Sequence, residues 1–201
     1  MITMSSDQLD ALKEMIGVGM GKAAGMLNEM LESHIELKVP SLSIIKSKDL
    51  NCNSVCAELG GDQLTSVSLG FQGSYKGNST LVFPEESAVK LVAALTNEEP
   101  GSTGLDSVMA GTMSEVGNIV INGVMGSIGN YLKDTVEYSL PNYLEGKLTD
   151  LLGVEEFLEE TYILLAETTF KVQNLQVEGS IFVVFEYDSF GNILSEINDL
   201  Y

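Results

Sequence analysis

Apolar residues at Leu9, Leu12, Ile16, Met20, Ala23, Leu27 and Met30 step by three and four along the chain, the period of an amphipathic helix. The pattern predicts a long first helix, capped by Ser5 or Ser6 and ending near Ser33-His34. Ile35-Glu36-Leu37-Lys38-Val39 then alternates strictly and predicts a strand running up to Pro40. Val67 to Phe71 and Ser79 to Phe83 predict two further strands, joined as a hairpin through Gly73 to Gly77, and a helix from Glu85 to Leu95 closes this half.

The same order then recurs. A long helix is expected from about Leu105 to Leu132, strands near Tyr162 to Val172 and Leu175 to Tyr187, and a closing helix from Ser189 to Leu200. The region from Asn142 to Glu160 lacks alternation at Leu148, Leu151, Leu152 and Phe157, which favours short helix there. The recurrence extends to residue identities at an offset of 101: Glu14 returns as Glu115, Pro40 as Pro141, and Leu27 to Leu31 as Ile128 to Leu132. After one inserted residue, Gly77 to Phe83 aligns with Gly179 to Phe185, and Ser87 with Ser189. The polar, breaker-rich segment Thr96 to Gly104 separates the halves. The expected organisation is a single domain, 1–201, made of two repeats, 1–100 and 101–201. Neither repeat has strands enough to bury its own sheet. The fold class expected is therefore α/β of the α+β kind: two copies related by a pseudo-two-fold axis, sharing one antiparallel sheet that carries two long and two closing helices.

Charge narrows the function. Of 201 residues, 29 are acidic and 10 basic, for a formal net charge of −19, and every basic residue is Lys. Without the guanidinium fork, and with a field that repels polyanions, nucleic acid and anionic membrane surfaces are excluded as partners. The second half is the more acidic, with three Lys against sixteen acids. Cys52 and Cys56 are the only cysteines and His34 the only histidine. That set is too small for a soft-metal site, so no metal is expected and the thiols read as reduced. Acids at Asp7 and Asp10 in place of a basic leader region, and no apolar run of membrane-spanning length, predict a cytoplasmic protein.

Two motifs invite chemistry. Gly17-Val18-Gly19-Met20-Gly21-Lys22-Ala23 has the look of a phosphate loop, yet Ile16 stands where the first Gly is needed and Ala23 where the hydroxyl is needed. These glycines read instead as a means of bringing two helices close. The second motif is the helix face that the apolar stripe leaves free. Asp10, Glu14, Gly17 and Gly21 fall on it in the first half, and Gly111, Glu115, Asn118 and Asn122 in the second. Glu115 and Asn118 stand side by side, an anion able to hold a cation and an amide able to donate and accept at once. Spacing alone is equally satisfied by a solvated glutamate and a surface amide.

The string Ser114-Glu115-Val116-Gly117-Asn118-Ile119, with Pro141 twenty-three residues beyond Asn118, resembles the Glu-x-x-Asn-x22-Pro signature of the CheC, CheX and FliY chemotaxis phosphatases. Glu14-Met15-Ile16-Gly17 with Pro40 shows the same frame in the first half, and Leu81 to Ala88 resembles the strand-to-helix junction of that family. Chain length and duplication resemble the CheC type. The resemblance implies hydrolysis of the aspartyl phosphate on a CheY-like receiver domain, with Glu115 gripping a receiver Lys and Asn118 orienting the attacking water. It also implies Pro40 and Pro141 as structural positions, no cofactor of the chain's own, and Mg²⁺ carried by the receiver. A CheD-type receptor deamidase is the second partner it implies. The lack of Arg fits this division of labour, since a partner supplying Mg²⁺ and Lys removes the need for cationic groups here.

Two departures qualify the resemblance. Gly111 stands four residues before Glu115, where the family often has Asp or Ser, while the first half keeps Asp10. Gly17 replaces the Asn of the first half, so Asp10, Glu14 and Gly17 form a degenerate second site expected to be silent. The alternative function is a non-catalytic binding module of chemotaxis or the flagellar switch, and Asn118 is the residue that discriminates the two.

Overall fold

The structure, a computed structural model, describes residues 5–31, 34–59, 63–153, 161–172, 175–186 and 189–198. The helix end expected at Ser33, the strand end at Tyr187, the helix end at Leu200 and the part of the 142–160 segment from 154 to 160 lie outside the described residues.

Helix α1 spans Ser6–Leu31. Ser5 begins it with a reciprocal box: the Gln8 N–H donates to Ser5 Oγ at 3.2 Å, and the Ser5 N–H donates to Gln8 Oε1 at 2.8 Å. Strand β1 covers Ile35–Lys46, α2 Cys52–Leu59, β2 Leu64–Gln72, β3 Gly77–Pro84 and α3 Glu85–Thr96. The second half comprises α4 (Thr103–Tyr131), β4 (Glu137–Tyr138), β5 (Asn142–Gly146), α5 (Leu148–Leu152), β6 (Tyr162–Val172), β7 (Leu175–Phe185) and α6 (Ser189–Asn198).

All strand pairs are antiparallel and form one seven-stranded sheet, in the order β1-β6-β7-β3-β2 with β4 and β5 both pairing beyond β2. Strands β3 and β7 meet at its centre, and Thr80 lies opposite Phe182. Alternation divides the sheet into two faces. One face presents Leu37, Val67, Leu81, Phe170, Ile181 and Val183 to α1, α3, α4 and α6 in the main core. The other presents Leu64, Val82, Ile163 and Phe182 to a smaller cluster completed by Leu148, Leu151 and Leu152 of α5 and by Val55 and Leu59 of α2. Burying each such side chain stabilises the fold by roughly 1.5–3 kcal/mol. The third structural tie is polar: buried Gln8 donates from Nε2 to the Leu194 carbonyl at 3.2 Å and to Asn198 Oδ1 at 3.0 Å, fastening α1 to α6.

The α+β class with one antiparallel sheet and two long helices agrees with expectation, and three local readings do not. Asn142–Gly146 is strand, not helix, because it finds an open edge at Leu64–Ser68 of β2. Helix appears only beyond it, in α5. Strand β1 does not stop at Pro40 but continues to Lys46, and its pairing with β6 shifts between Lys38 and Ser41. A proline has no N–H for the ladder, so an irregularity absorbs it. Helix α2 lay in a stretch with no expected element.

Helices α1 and α4 cross antiparallel, as the pairings of Gly19 with Gly123 and of Glu14 with Tyr131 require. A Cβ on Gly19 would lie 2.5 Å from the Gly123 carbonyl oxygen, and one on Gly123 would lie 2.8 Å from that of Gly19. The close-packing reading of the glycine run therefore holds at Gly19 alone, since Gly17, Gly21 and Gly25 face open space. Gly19→Ala and Gly123→Ala should each lower unfolding free energy by about 1–3 kcal/mol, the cost of overpacking. Gly17→Ala should raise it by about 0.5–1 kcal/mol. Urea titration of the three variants checks the opposite signs, and equal effects at Gly17 and Gly19 would contradict the crossing geometry.

Candidate functional site

Helix α4 is held so that one of its faces stays open. Ser102 caps it, its Oγ accepting from the Leu105 N–H at 3.1 Å. On the underside Met113, Val116, Val120 and Val124 are buried, and Gly117 presses on β2 so closely that a Cβ would stand 2.5 Å from the Val67 side chain. This seat fixes the rotation of the helix. Gly111 and Glu115 are thereby exposed, and Asn118 and Asn122 are half-buried on the same side.

The polar groups on this side differ in how they are engaged. Asn122 donates from Nδ2 to Asn118 Oδ1 at 2.7 Å. The Oδ1 of Asn122 is itself buried without a partner among the described residues. Glu115 has no hydrogen-bond or ion-pair partner among the described residues. Its carboxylate is therefore available to an incoming cation, one turn from an amide whose Oδ1 is already anchored.

The first-half residues are placed differently. Glu14 is exposed, and its Oε1 accepts from the Tyr131 hydroxyl at 3.2 Å, across the helix pair. Asp10 lies 3.8 Å from Lys13 in an exposed ion pair. Gly17 is exposed and offers no side chain. Because α1 and α4 run antiparallel, Glu115 sits beside the C-terminal half of α1. At 1.5 Å rise per residue it is about 20 Å along the axis from Glu14. The structure thus brings Glu115 together with Asn118, and Asp10 with Glu14 and Gly17, but holds the two groups apart.

Pro141 is half-buried and leads into β5, which packs against α4. Pro40 lies within β1, which packs against α1, at the register shift. His34 is exposed, and Cys52 is half-buried in the smaller cluster. No helix among the described residues is long and apolar enough to cross a membrane, and no three His, Cys, Asp or Glu side chains converge there. Sequence reasoning placed Asn122 on the right face and missed its bond to Asn118. The i, i+4 amide spacing was the available signal. The Tyr131 hydroxyl had no signal, since its partner lies 117 residues away.

The acid and the amide thus lie on an open helix face laid over an antiparallel sheet. A family model described as chemotaxis phosphatase CheX matches residues 65–156, a span that contains Glu115, Asn118, Asn122 and Pro141. Among solved structures, FliY of Thermotoga maritima superposes with a TM-score of 0.72 at 17% identity, covering 98% of this chain and 99% of that one. The middle domain of FliM from H. pylori gives 0.63 at 11% identity, covering 96% and 99%. The CheX chain in a CheX-CheY-BeF3-Mg complex from Borrelia burgdorferi gives 0.51 at 19% identity, covering 84% and 96%. The fold is thus the one these chemotaxis and flagellar proteins share. The family model covers less than half of the chain, and with the shared fold it makes the chain similar to the chemotaxis proteins CheX and FliY.

Proposed function

We propose that the chain hydrolyses the aspartyl phosphate of a CheY-like receiver, with one working site on α4. The observation that carries this reading is the exposed, unengaged carboxylate of Glu115 beside the anchored carboxamide of Asn118, within the span matched by the CheX model. On this reading Glu115 binds a receiver Lys next to the phosphoryl group, which docks the two proteins in register. Asn118 then enters the receiver site and holds a water in line with the scissile bond. The water oxygen forms a bond to phosphorus as the P–O bond to the receiver Asp breaks, releasing inorganic phosphate and regenerating the carboxylate. Mg²⁺ belongs to the receiver, a role supported by the Mg²⁺ in the Borrelia complex.

The same reading treats 1–201 as one domain of two related repeats. It is supported by the antiparallel crossing of α1 with α4 and by the pairing of Thr80 with Phe182, its counterpart at the 102-residue offset. The first-half site is then silent: Gly17 has no amide to hold a water, and Glu14 already receives the Tyr131 hydroxyl.

A second reading, a non-catalytic flagellar switch module, is favoured by the FliM middle domains, which match almost the whole chain. One in complex with FliG from H. pylori superposes with a TM-score of 0.64. Incubating the protein with a phosphorylated CheY-type receiver and Mg²⁺, and following phosphate release, separates the two readings.

Asn118→Ala should lower that release by at least about 100-fold while receiver binding persists, because the amide acts on the water. Glu115→Ala should weaken binding as well, whereas Glu14→Ala should change the rate by less than about twofold. An Asn118→Ala variant with full activity would remove the proposed mechanism. With a net charge of −19, association with a basic receiver surface should also slow as ionic strength rises, since steering is screened beyond about 8–10 Å. Stopped-flow binding from low to high salt tests this, and a salt-independent rate would exclude steering.

A further inference from the structure

We propose that Asn122 is a positioning residue for the reaction, setting which end of the Asn118 carboxamide faces the receiver. This rests on the phosphatase reading above. Its Nδ2 donates to Asn118 Oδ1 at 2.7 Å, so the carbonyl end of Asn118 is turned along the helix and the NH₂ end is directed away from Asn122. A carbonyl oxygen has two lone pairs, and one remains to accept a proton of the attacking water. The NH₂ group is then free to donate to an oxygen of the phosphoryl group, where negative charge accumulates. A carboxamide flipped end for end would present the two groups in exchanged places.

Three observations favour this role over a structural one. Asn is a mediocre helix former, and α4 carries two of them one turn apart in its middle. Among the described residues the Oδ1 of Asn122 is buried with no partner, a destabilising arrangement that outweighs the small gain from an i, i+4 amide pair. The first half, which has the Glu of the motif as Glu14, lacks both amides: at the 101-residue offset Gly17 stands for Asn118 and Gly21 for Asn122. A Cβ at either glycine would meet nothing within 4 Å, so crowding does not explain the absence of amides there. The two amides behave as a unit, present as a pair or absent as a pair.

The test compares wild type, Asn118→Ala, Asn122→Ala and Asn122→Asp in phosphate release from a phosphorylated CheY-type receiver with Mg²⁺, over a range of receiver concentrations. Aspartate is the informative change, because a carboxylate accepts but does not donate and would hold Asn118 by its NH₂ end. Both Asn122 variants should lose about tenfold in kcat, with KM within about twofold of wild type. The Tm of Asn122→Ala should not fall, since the substitution removes an unpaired buried acceptor. A structural role predicts the reverse, a lower Tm with kcat and KM little changed, and that result overturns the inference. An active wild type with an equally active Asn122→Ala also overturns it, leaving the phosphatase reading intact. Full activity in Asn122→Asp alone overturns the claim of orientation. A wild type inert towards the phosphorylated receiver overturns both the reading and the inference.

Discussion

The approach of α1 to α4 at Gly19 and Gly123 is the constraint on which the arrangement depends. Each residue's carbonyl oxygen occupies the space that the other's Cβ would need, so a hydrogen on both sides is what lets the two axes meet. With the axes together, Met15, Ile16 and Met20 of one helix and Met113, Val120 and Val124 of the other fill a single core above the sheet. Gly117 applies the same device against Val67 and presses α4 onto β2. Two contacts of this kind leave α4 little freedom to roll, and the rotation that remains is the one that exposes Glu115.

The upper surface of the helix pair is correspondingly plain. Gly17, Gly21, Gly25, Gly111 and Gly126 all have empty space where a side chain would be. Each is a poor choice for helix stability, roughly 0.5–1 kcal/mol worse than Ala. Over such a surface Glu115 is exposed and Asn118 half-buried, with few side chains crowding the face around them. The groups sit on a 29-residue helix bedded on a sheet whose opposite face is buffered by α2 and α5. A site on such an element holds its geometry better than one on a loop.

Much of this was legible in the sequence because it rests on periodicity. The 3.6-residue stripe gave α1, apolar β-prone runs bounded by glycine gave β2 and β3, and the recurrence of that order gave α4, β6 and β7. The face bearing Glu115 and Asn118 followed from the same stripe by subtraction. What escaped depended on partners remote in sequence. Asn142–Gly146 has little alternation of its own and becomes a strand because β2 offers an edge. Pro40 would ordinarily end a strand, and β1 passes through it because β6 pairs on both sides of the irregularity. The bond from Tyr131 to Glu14 depends on the helix crossing, which no local pattern encodes.

Electrostatics give the proposed site its selectivity. A carboxylate such as Glu115, on a chain of net charge −19 with no arginine, repels a phosphoryl group whenever nothing stands between them. At an effective dielectric of about 20 the interaction of two unit charges 4 Å apart is about 4 kcal/mol, and its sign depends on the intervening charge. A lysine held between Glu115 and the phosphoryl group converts that repulsion into two attractions, and a bound Mg²⁺ offsets the rest. On the proposed reading the site would therefore work only on a phosphoryl group that arrives with its own cations already in place. A small acyl phosphate carries none and meets an uncompensated anion, whereas a receiver domain presents lysine, metal and phosphoryl group as one rigid set. On that reading, what a lone active site would have to supply from its own side chains is left to the substrate, and the chain would contribute register and a positioned amide.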